Sequence, residues 1–266
     1  MTRVRGVYTS PMPIDTARDG KVFSITLNRP QAMNAIDVEM YEQLTAAWDE
    51  FEHNDGLHVA IVTGAGERAF CAGRDLVKSV ADSTNDWSQN REQGRLTPDG
   101  IWKPVIAAVN GHCLAAGFAL MLGCDLRIAA PNATFGTMAA KRGIVAGGGQ
   151  TQRLMRQVGF AKAMEMILFA DRIDANEAHR IGLVNTVCEV GKAYETAQEW
   201  AGRLLKNGPL AIRAIKEAAH EGAFEMRLKD GLALEMKHYH ALMQTEDAGE
   251  GGRAFAEKRE PQFKGR

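Results

Sequence analysis

The sequence lacks the features that would place its 266 residues in several large functional classes. No apolar run approaches the roughly 18–20 residues that a membrane-spanning helix needs, and the first residues lack the apolar stretch of a signal peptide. The formal net charge is only −1, which argues against a nucleic-acid-binding or anionic-membrane-binding surface. We therefore expect a cytoplasmic protein with no nucleic-acid or membrane partner.

Cysteine is scarce, and its spacing does not indicate a metal site. The chain has four cysteines and no C-x-x-C pair. Widely separated cysteines of this kind are typical of reduced, buried thiols in cytoplasmic proteins. We expect no bound metal from these four residues: Cys71, Cys113, Cys124 and Cys188.

The common nucleotide and hydrolase motifs are also missing. No G-x-x-x-x-G-K-[ST] sequence is present, so glycines 147–149 do not form a phosphate-binding loop of that type. No G-x-S-x-G sequence marks a serine hydrolase. Residues 64–69 (GAGERA) fit the G-x-G-x-x-[GA] pattern, but residues 70–73 interrupt the helix that a dinucleotide site requires next. The sequence therefore predicts no nicotinamide or flavin cofactor.

What is present is the composition and pattern of an α/β protein. Hydrophobic residues make up 45% and charged residues 24% of the chain, as in ordinary soluble proteins. Strand and helix patterns alternate to about residue 190, which predicts an α/β core over residues 1–190. The pattern is then helical, which predicts a C-terminal helical region over residues 191–266, of the kind that often packs on another subunit.

Individual elements can be read from periodicity and caps. Residues 22–27 and 58–63 read as strands, and Asp37 is a plausible N-cap of the helix that follows it. Residues 1–20 are expected to be irregular, since Pro11 and Pro13 discourage regular structure. The polar segment 82–100 is either a functional loop beside a pocket or a plain insertion.

The stretch from Lys103 to Asp125 indicates an anion-binding turn. Its sequence predicts a buried strand over residues 104–109, a turn of small residues at 114–117, and an apolar helix over 118–122. The start of a helix leaves backbone N–H groups that can bind an anion or a developing oxyanion. The alternative is that the small residues only permit close packing.

A second glycine turn follows an earlier strand. In this turn the N–H of Arg74 follows Ala72 and Gly73. The N–H of Ala116 has a similar place in the later turn. If the two turns converge, each donor would stabilise an enolate oxyanion by roughly 3–4 kcal/mol. His112 lies between strand and helix in the later turn, where it is either structural or functional.

At these residues the sequence resembles the crotonase superfamily, the enoyl-CoA hydratase/isomerase fold, and its tail resembles that of the carnitinyl-CoA dehydratase branch. The resemblance implies an α/β, crotonase-type spiral of ββα units with a C-terminal helical region. It implies homotrimers or dimers of trimers, an acyl-CoA ligand, and no cofactor other than coenzyme A as part of the substrate. The matching segments span almost the whole chain: residues 25–37, 59–76, 103–111, 123–130, 147–154, 163–185 and 246–266.

The resemblance also implies roles for particular residues. The oxyanion hole would be the backbone N–H groups of Arg74 and Ala116. Lys258 would reach toward a phosphate of a neighbouring subunit's CoA. The implied substrate-binding residues are Arg29, Ala72, Gly73, Asp75, Leu76, Phe255 and Lys258.

The catalytic carboxylates are where this sequence departs from the family. Ala119 and Ala139 stand at the positions where hydratases carry glutamates, and Gly147 stands where some relatives use an aspartate. One positioned acid or base is worth roughly 10²–10⁴ in rate. The polar residues that could substitute are His112, Thr137, Lys141, Arg142 and Gln150.

The resulting hypothesis is an enzyme of the hydratase/isomerase family, a lyase or isomerase with atypical acid/base residues. It would bind an acyl-CoA thioester and stabilise its enolate, while ordinary hydration would be weak or absent. The alternative is a catalytically silent CoA-binding or scaffold subunit. A pocket lined only by apolar groups would favour the alternative, and a convergent His112 or Lys141 would favour an enzyme.

Overall fold

The structure is a computed structural model, and it describes residues 12–76, 94–224 and 226–266. Within these ranges the strands are β1 (Ile14–Asp19), β2 (Val22–Leu27), β3 (Val59–Gly64), β4 (Ala69–Cys71), β5 (Val105–Val109), β6 (His112–Leu114), β7 (Leu126–Ala129), β8 (Thr134–Gly136), β9 (Ile173–Asp174) and β10 (Thr186–Val187). The α-helices are α1 (Val38–His53), α2 (Ala116–Leu122), α3 (Gln150–Val158), α4 (Phe160–Phe169), α5 (Ala175–Arg180), α6 (Ala193–Leu204), α7 (Pro209–Phe224), α8 (Leu228–Leu242) and α9 (Glu246–Glu257).

The strands form two sheets that the chain visits in turn. The larger sheet has the order β1-β2-β3-β5-β7-β10, and the smaller has the order β4-β6-β8-β9. From β3 to β8 successive strands alternate between the sheets, so each turn of the chain adds one parallel strand to each. The α/β spiral predicted from the sequence is confirmed.

The central strands β3 and β5 of the larger sheet are buried on both faces, which explains their continuous apolar runs. In β3, Ala60 and Val62 belong to one hydrophobic cluster, and Val59 and Ile61 belong to another. Helix α1 contributes Trp48 and other side chains to the first cluster. The buried residues that helix α6 contributes to the second cluster are all alanines, which let the helix lie close against the sheet: Ala193, Ala197 and Ala201.

The structure corrects three predictions about local structure. Residues 14–19, expected to be irregular, form β1, which pairs antiparallel with β2. Two segments expected to be turns contain the short strands β4 and β6, and His112 is the first residue of β6 rather than a turn residue. A strand of three residues is too short to show a periodicity, and its pairing partner lies far away in the sequence. The cap of α1 was predicted correctly, since Asp37 accepts a hydrogen bond from the Met40 N–H.

The C-terminal region is helical, as predicted. Helices α7 and α8 cross closely at two glycines, where a Cβ on Gly231 would lie 3.2 Å from the Cα of Gly222. Helix α6 lies beyond the predicted boundary at residue 190 yet packs against β3 and β5, and the division there stays a prediction. No helix in the described part of the chain is both long enough and apolar enough to cross a membrane.

Candidate active site

The two glycine-containing turns converge. Gly73 has a φ of +106°, and a Cβ placed on it would lie 2.8 Å from the Cβ of Ala115 and 3.5 Å from the backbone nitrogen of Ala116. Only glycine fits a backbone approach of this kind. The residue after Gly73 is Arg74, so the structure places the two residues expected to form an oxyanion hole in neighbouring turns.

Backbone hydrogen bonds to the segment before α1 hold the first turn in place. The N–H of Ile36 donates to the Gly73 oxygen at 2.8 Å, and the N–H of Asp75 donates to the Ile36 oxygen at 2.9 Å. Ile36 and Arg74 thereby form an isolated parallel bridge. The backbone of Arg74 is fixed on both sides by these contacts.

The second turn is anchored to the smaller sheet. Ala115 has an unusual backbone conformation, with φ 50° and ψ −114°, and its N–H donates to the Gly136 oxygen of β8 at 2.9 Å. Ala116 follows as the first residue of α2, where N–H groups have no acceptor within the helix. A Cβ on Gly117 would lie 2.5 Å from the Cβ of Cys71, so the start of α2 lies directly on β4.

Arg29 stabilises the first turn instead of projecting into open space. Its guanidinium forms ion pairs with Asp75 at 2.9 Å and Asp37 at 3.3 Å, and it donates to the Ala35 oxygen at 2.5 Å. The side chain is only 12% exposed. Of the residues expected to bind CoA in this segment, Ala72 is half-buried and Leu76 is exposed.

The two alanines at the expected glutamate positions are buried. Ala119 lies on α2 one turn after Ala116, and a Cβ on Gly148 would lie 3.0 Å from its methyl group. Ala139 follows β8 and precedes a short 3-10 helix over residues 140–142. Neither methyl group can transfer a proton.

Three of the five candidate polar substitutes for the glutamates either contact other side chains or are exposed. His112 contacts the Thr134 hydroxyl through Nδ1 at 2.8 Å, and burial, with the charges of Arg172 and Arg68, lowers its pKa. Lys141 pairs with Asp171 at the surface. Arg142 is exposed.

The other two candidates, Thr137 and Gln150, are buried near the alanines. Thr137 is 1% exposed and Gln150 is 4% exposed. Neither Thr137 Oγ1 nor Gln150 Oε1 has a hydrogen-bond partner among the residues that the structure describes. Two buried polar side chains therefore accompany the alanines: Thr137 precedes Ala139 by two residues, and Gln150 follows Gly148, which lies against Ala119. Sequence reasoning named both residues but had no measure of burial with which to select them.

The two tail residues expected to contact CoA lie at the C-terminal end of α9. Phe255, on α9, is 88% exposed. Lys258 follows the end of α9 with a φ of 56°. The turns at Gly73 and Ala116 are built without either of them.

A cleft of about 450 Å³ opens at the opposite end of α2. Its lining includes Leu122 at the C-terminal end of that helix, and Lys216 and His220 of α7. Since Ala116 is at the N-terminal end of α2, this cleft is distinct from the paired turns. Lys216 forms an ion pair with Asp125 at 2.7 Å.

Comparison with known proteins agrees with this architecture. A family model described as enoyl-CoA hydratase/isomerase matches residues 17–266. The (E)-benzylidenesuccinyl-CoA hydratase of Thauera aromatica is 38% identical, over 96% of this chain and 100% of that protein. The carnitinyl-CoA dehydratase of Salmonella typhimurium is 40% identical, over 94% of this chain and 97% of that protein. The crystal structure of an enoyl-CoA hydratase from Bacillus anthracis is 36% identical and has a TM-score of 0.88, covering 96% of this chain and 100% of that one.

The chain belongs to the enoyl-CoA hydratase/isomerase family of the crotonase superfamily. Its fold is the crotonase fold.

Proposed function

We propose that the protein is an enzyme that binds an acyl-CoA thioester and stabilises its enolate with the backbone N–H groups of Arg74 and Ala116. The observation that carries the proposal is the close approach of the two turns, with a Gly73 Cβ position 3.5 Å from the Ala116 nitrogen. Two donors directed at one oxygen would each contribute roughly 3–4 kcal/mol. The acyl-CoA names of the relatives support the ligand class.

Hydration of a simple enoyl-CoA is expected to be weak or absent. In our proposal, Ala119 and Ala139 occupy the positions where hydratases of the family carry glutamates. Each missing acid or base would cost roughly 10²–10⁴ in rate. The oxyanion hole survives these replacements because it uses backbone atoms only. The enzyme would therefore catalyse a lyase or isomerase reaction that needs little help from protein carboxylates.

We place CoA along residues 72–76, with Arg29 bracing that segment. Phe255 and Lys258 of a neighbouring subunit would complete the site in a homotrimer or dimer of trimers. A row of exposed apolar side chains on one side of α8 supports association of this kind, since exposed apolar patches mark interaction surfaces: Leu228, Leu232, Met236 and Tyr239, continued by Met243. Light scattering with size-exclusion chromatography measures the number of subunits, and a monomer would contradict this arrangement.

The decisive experiment compares crotonyl-CoA hydration by the wild type and by an Ala119→Glu/Ala139→Glu double variant. We expect a nearly silent wild type and a gain of at least about 10²-fold in the double variant. The matched control, Ala119→Gln/Ala139→Gln, adds similar volume without a carboxylate and should gain nothing. Calorimetric titration with butyryl-CoA checks that the wild type and both variants bind the thioester.

Each other result has a defined meaning. Efficient hydration by the wild type would show that another residue supplies the proton. Tight thioester binding without turnover of any acyl-CoA in a panel would identify a catalytically silent CoA-binding subunit. Absence of thioester binding would contradict the proposal itself.

A further inference from the structure

We propose that Thr137 and Gln150 form a polar subsite that binds a neutral O–H group, next to the proposed oxyanion hole. The inference rests on the proposed function for the identity of the ligand. It goes beyond that function because it assigns two positioning residues that compensate for the alanines at 119 and 139.

Thr137 is positioned by the smaller sheet. Leu114 at the end of β6 pairs with Gly136 at the end of β8, and the Ala115 N–H donates to the Gly136 oxygen. Thr137 is the next residue after Gly136, so it lies beside the turn that contains Ala116. The same pair of strand ends therefore positions one proposed oxyanion donor and the Thr137 hydroxyl.

Gln150 is positioned by the glycine-rich turn before α3. Gly148 lies against the methyl group of Ala119, and Gln150 begins α3, which packs on α2. The Gln150 amide nitrogen donates to the Gly147 oxygen at 2.8 Å. This bond fixes the amide and leaves Oε1 as a hydrogen-bond acceptor on a side chain that is 4% exposed.

Two buried oxygens without partners among the described residues, in the segments that adjoin α2, point to a ligand. Most buried polar side-chain atoms in proteins have a hydrogen-bond partner, and leaving one without a partner costs about 1–3 kcal/mol. Thr137 Oγ1 and Gln150 Oε1 both lack one within the described segments of the chain. They belong to two different elements: Thr137 follows Gly136, whose oxygen accepts from the Ala115 N–H, and Gln150 begins α3, which packs on α2.

The chemistry of the two oxygens defines the ligand. Gln150 Oε1 can only accept, so it requires a donor, while the Thr137 hydroxyl can donate or accept. A carboxylate would face Gln150 with two acceptors, and an alkyl chain would leave both oxygens without partners. An O–H group fits both, and it can come from a hydroxyl on the acyl chain or from a water molecule.

The test compares the affinities of butyryl-CoA, 3-hydroxybutyryl-CoA and 4-hydroxybutyryl-CoA for the wild type and four variants. Thr137→Val and Gln150→Met remove each oxygen at similar volume, and Thr137→Ser keeps the hydroxyl. If the acyl chain supplies the O–H group, the wild type prefers one hydroxylated thioester by about 10-fold. Valine and methionine remove this preference, and serine keeps it. The control Thr134→Val, on β8 but bonded to His112, also keeps it.

If water supplies the O–H group, the wild type shows no preference, and Thr137→Val and Gln150→Met each bind butyryl-CoA several-fold more tightly. Identical affinities of all three thioesters in all proteins would overturn the subsite. Thermal unfolding without ligand tests it separately from CoA binding: Thr137→Val should leave the midpoint unchanged or raise it, whereas a structural hydroxyl would make valine destabilising. Failure of all thioesters to bind would instead contradict the proposed function.

Discussion

Gly73 and Ala115 approach each other so closely that a Cβ on Gly73 would lie 2.8 Å from the Cβ of Ala115. The two residues follow β4 and β6, neighbouring strands that pair in parallel in the smaller sheet. Their contact is what brings Arg74 toward Ala116. The position of the proposed oxyanion hole therefore depends on the absence of one methyl group.

We expect Gly73→Ala to weaken thioester binding at least about 10-fold and to destabilise the protein by about 2 kcal/mol. A positive φ contributes roughly 1–3 kcal/mol of strain, and the collision with Ala115 adds to it. The control is Gly182→Ala, which shares a positive φ of 74° but has no atom within 4 Å of the added Cβ. Calorimetric titration measures thioester binding, and urea unfolding measures the free energy of unfolding. Equal effects of both variants would show that strain alone, and not the contact, is responsible.

Asn34 should be one of the most sensitive polar residues in the chain. It is fully buried, and its amide nitrogen donates to the oxygens of Ala69 at 2.7 Å and Ala65 at 3.0 Å. Asn34→Asp would direct a carboxylate at these acceptors, at a cost of about 3 kcal/mol or more. Asn132→Asp, whose amide bonds to Glu67 at the surface, should cost less than about 1 kcal/mol. Similar unfolding midpoints for the two variants would contradict this interpretation.

Lys216 is expected to stabilise the fold through Asp125. The pair is 2.7 Å apart with little exposure, and removing one partner of a buried ion pair costs about 3–5 kcal/mol. Lys216→Met should therefore be strongly destabilising. Lys192→Met removes an exposed ion pair with Glu195 and should change the free energy of unfolding by less than about 1 kcal/mol.

The same pair predicts a pH dependence. Burial would raise the pKa of Asp125, but hydrogen bonds from His220 and Lys216 and the Lys216 charge outweigh it and lower the pKa. A lowered aspartate pKa stabilises the folded state above the unfolded value of about 3.9, and this stability is lost as the pH falls through the folded value. In Lys216→Met the loss should begin at higher pH. Urea unfolding between about pH 3 and pH 7 tests this shift.

Three of the four cysteines should resist modification in the folded protein. Burial raises the pKa of Cys71 and of Cys124 to about 12 and raises that of Cys113 as well. Because the thiolate is the reactive form, iodoacetamide at about pH 8 should modify these residues only after denaturation. Cys188 is half-buried and provides the internal comparison. Mass spectrometry identifies the labelled residues. Rapid labelling of Cys71 in the folded protein would contradict the prediction and show that the segment leading to Gly73 opens.

The sequence was sufficient for the larger elements because they carry their own signals. Buried strands β2 and β3 are continuous or alternating apolar runs, and Asp37 marks the start of α1. Strand β1 has no such signal: its residues are exposed except Ile14, and it is a strand because β2 pairs with it. Strands β4 and β6 are mostly buried, but at three residues each they are too short to show a periodicity.

The candidate site was predictable to the level of its backbone, but not of its side chains. The small residues around Gly73 and Ala116 indicated two turns, and their convergence is visible only in three dimensions. The polar residues near the alanines could be named from the sequence as a group of five. Burial then separated Thr137 and Gln150 from Lys141 and Arg142, and burial depends on how β8 and α3 meet α2.

The anchoring of Ala115 to Gly136 has an evolutionary consequence. The proposed polarising donors are main-chain atoms held by strand pairing and by the contact between Gly73 and Ala115, so substitutions that preserve both also preserve the donors. Side chains at positions 119, 137, 139 and 150 can then change without dismantling the electrophile-binding turn. A lineage with this scaffold could explore new reactions one side chain at a time, because each intermediate sequence would still fold and would keep the proposed donors in place.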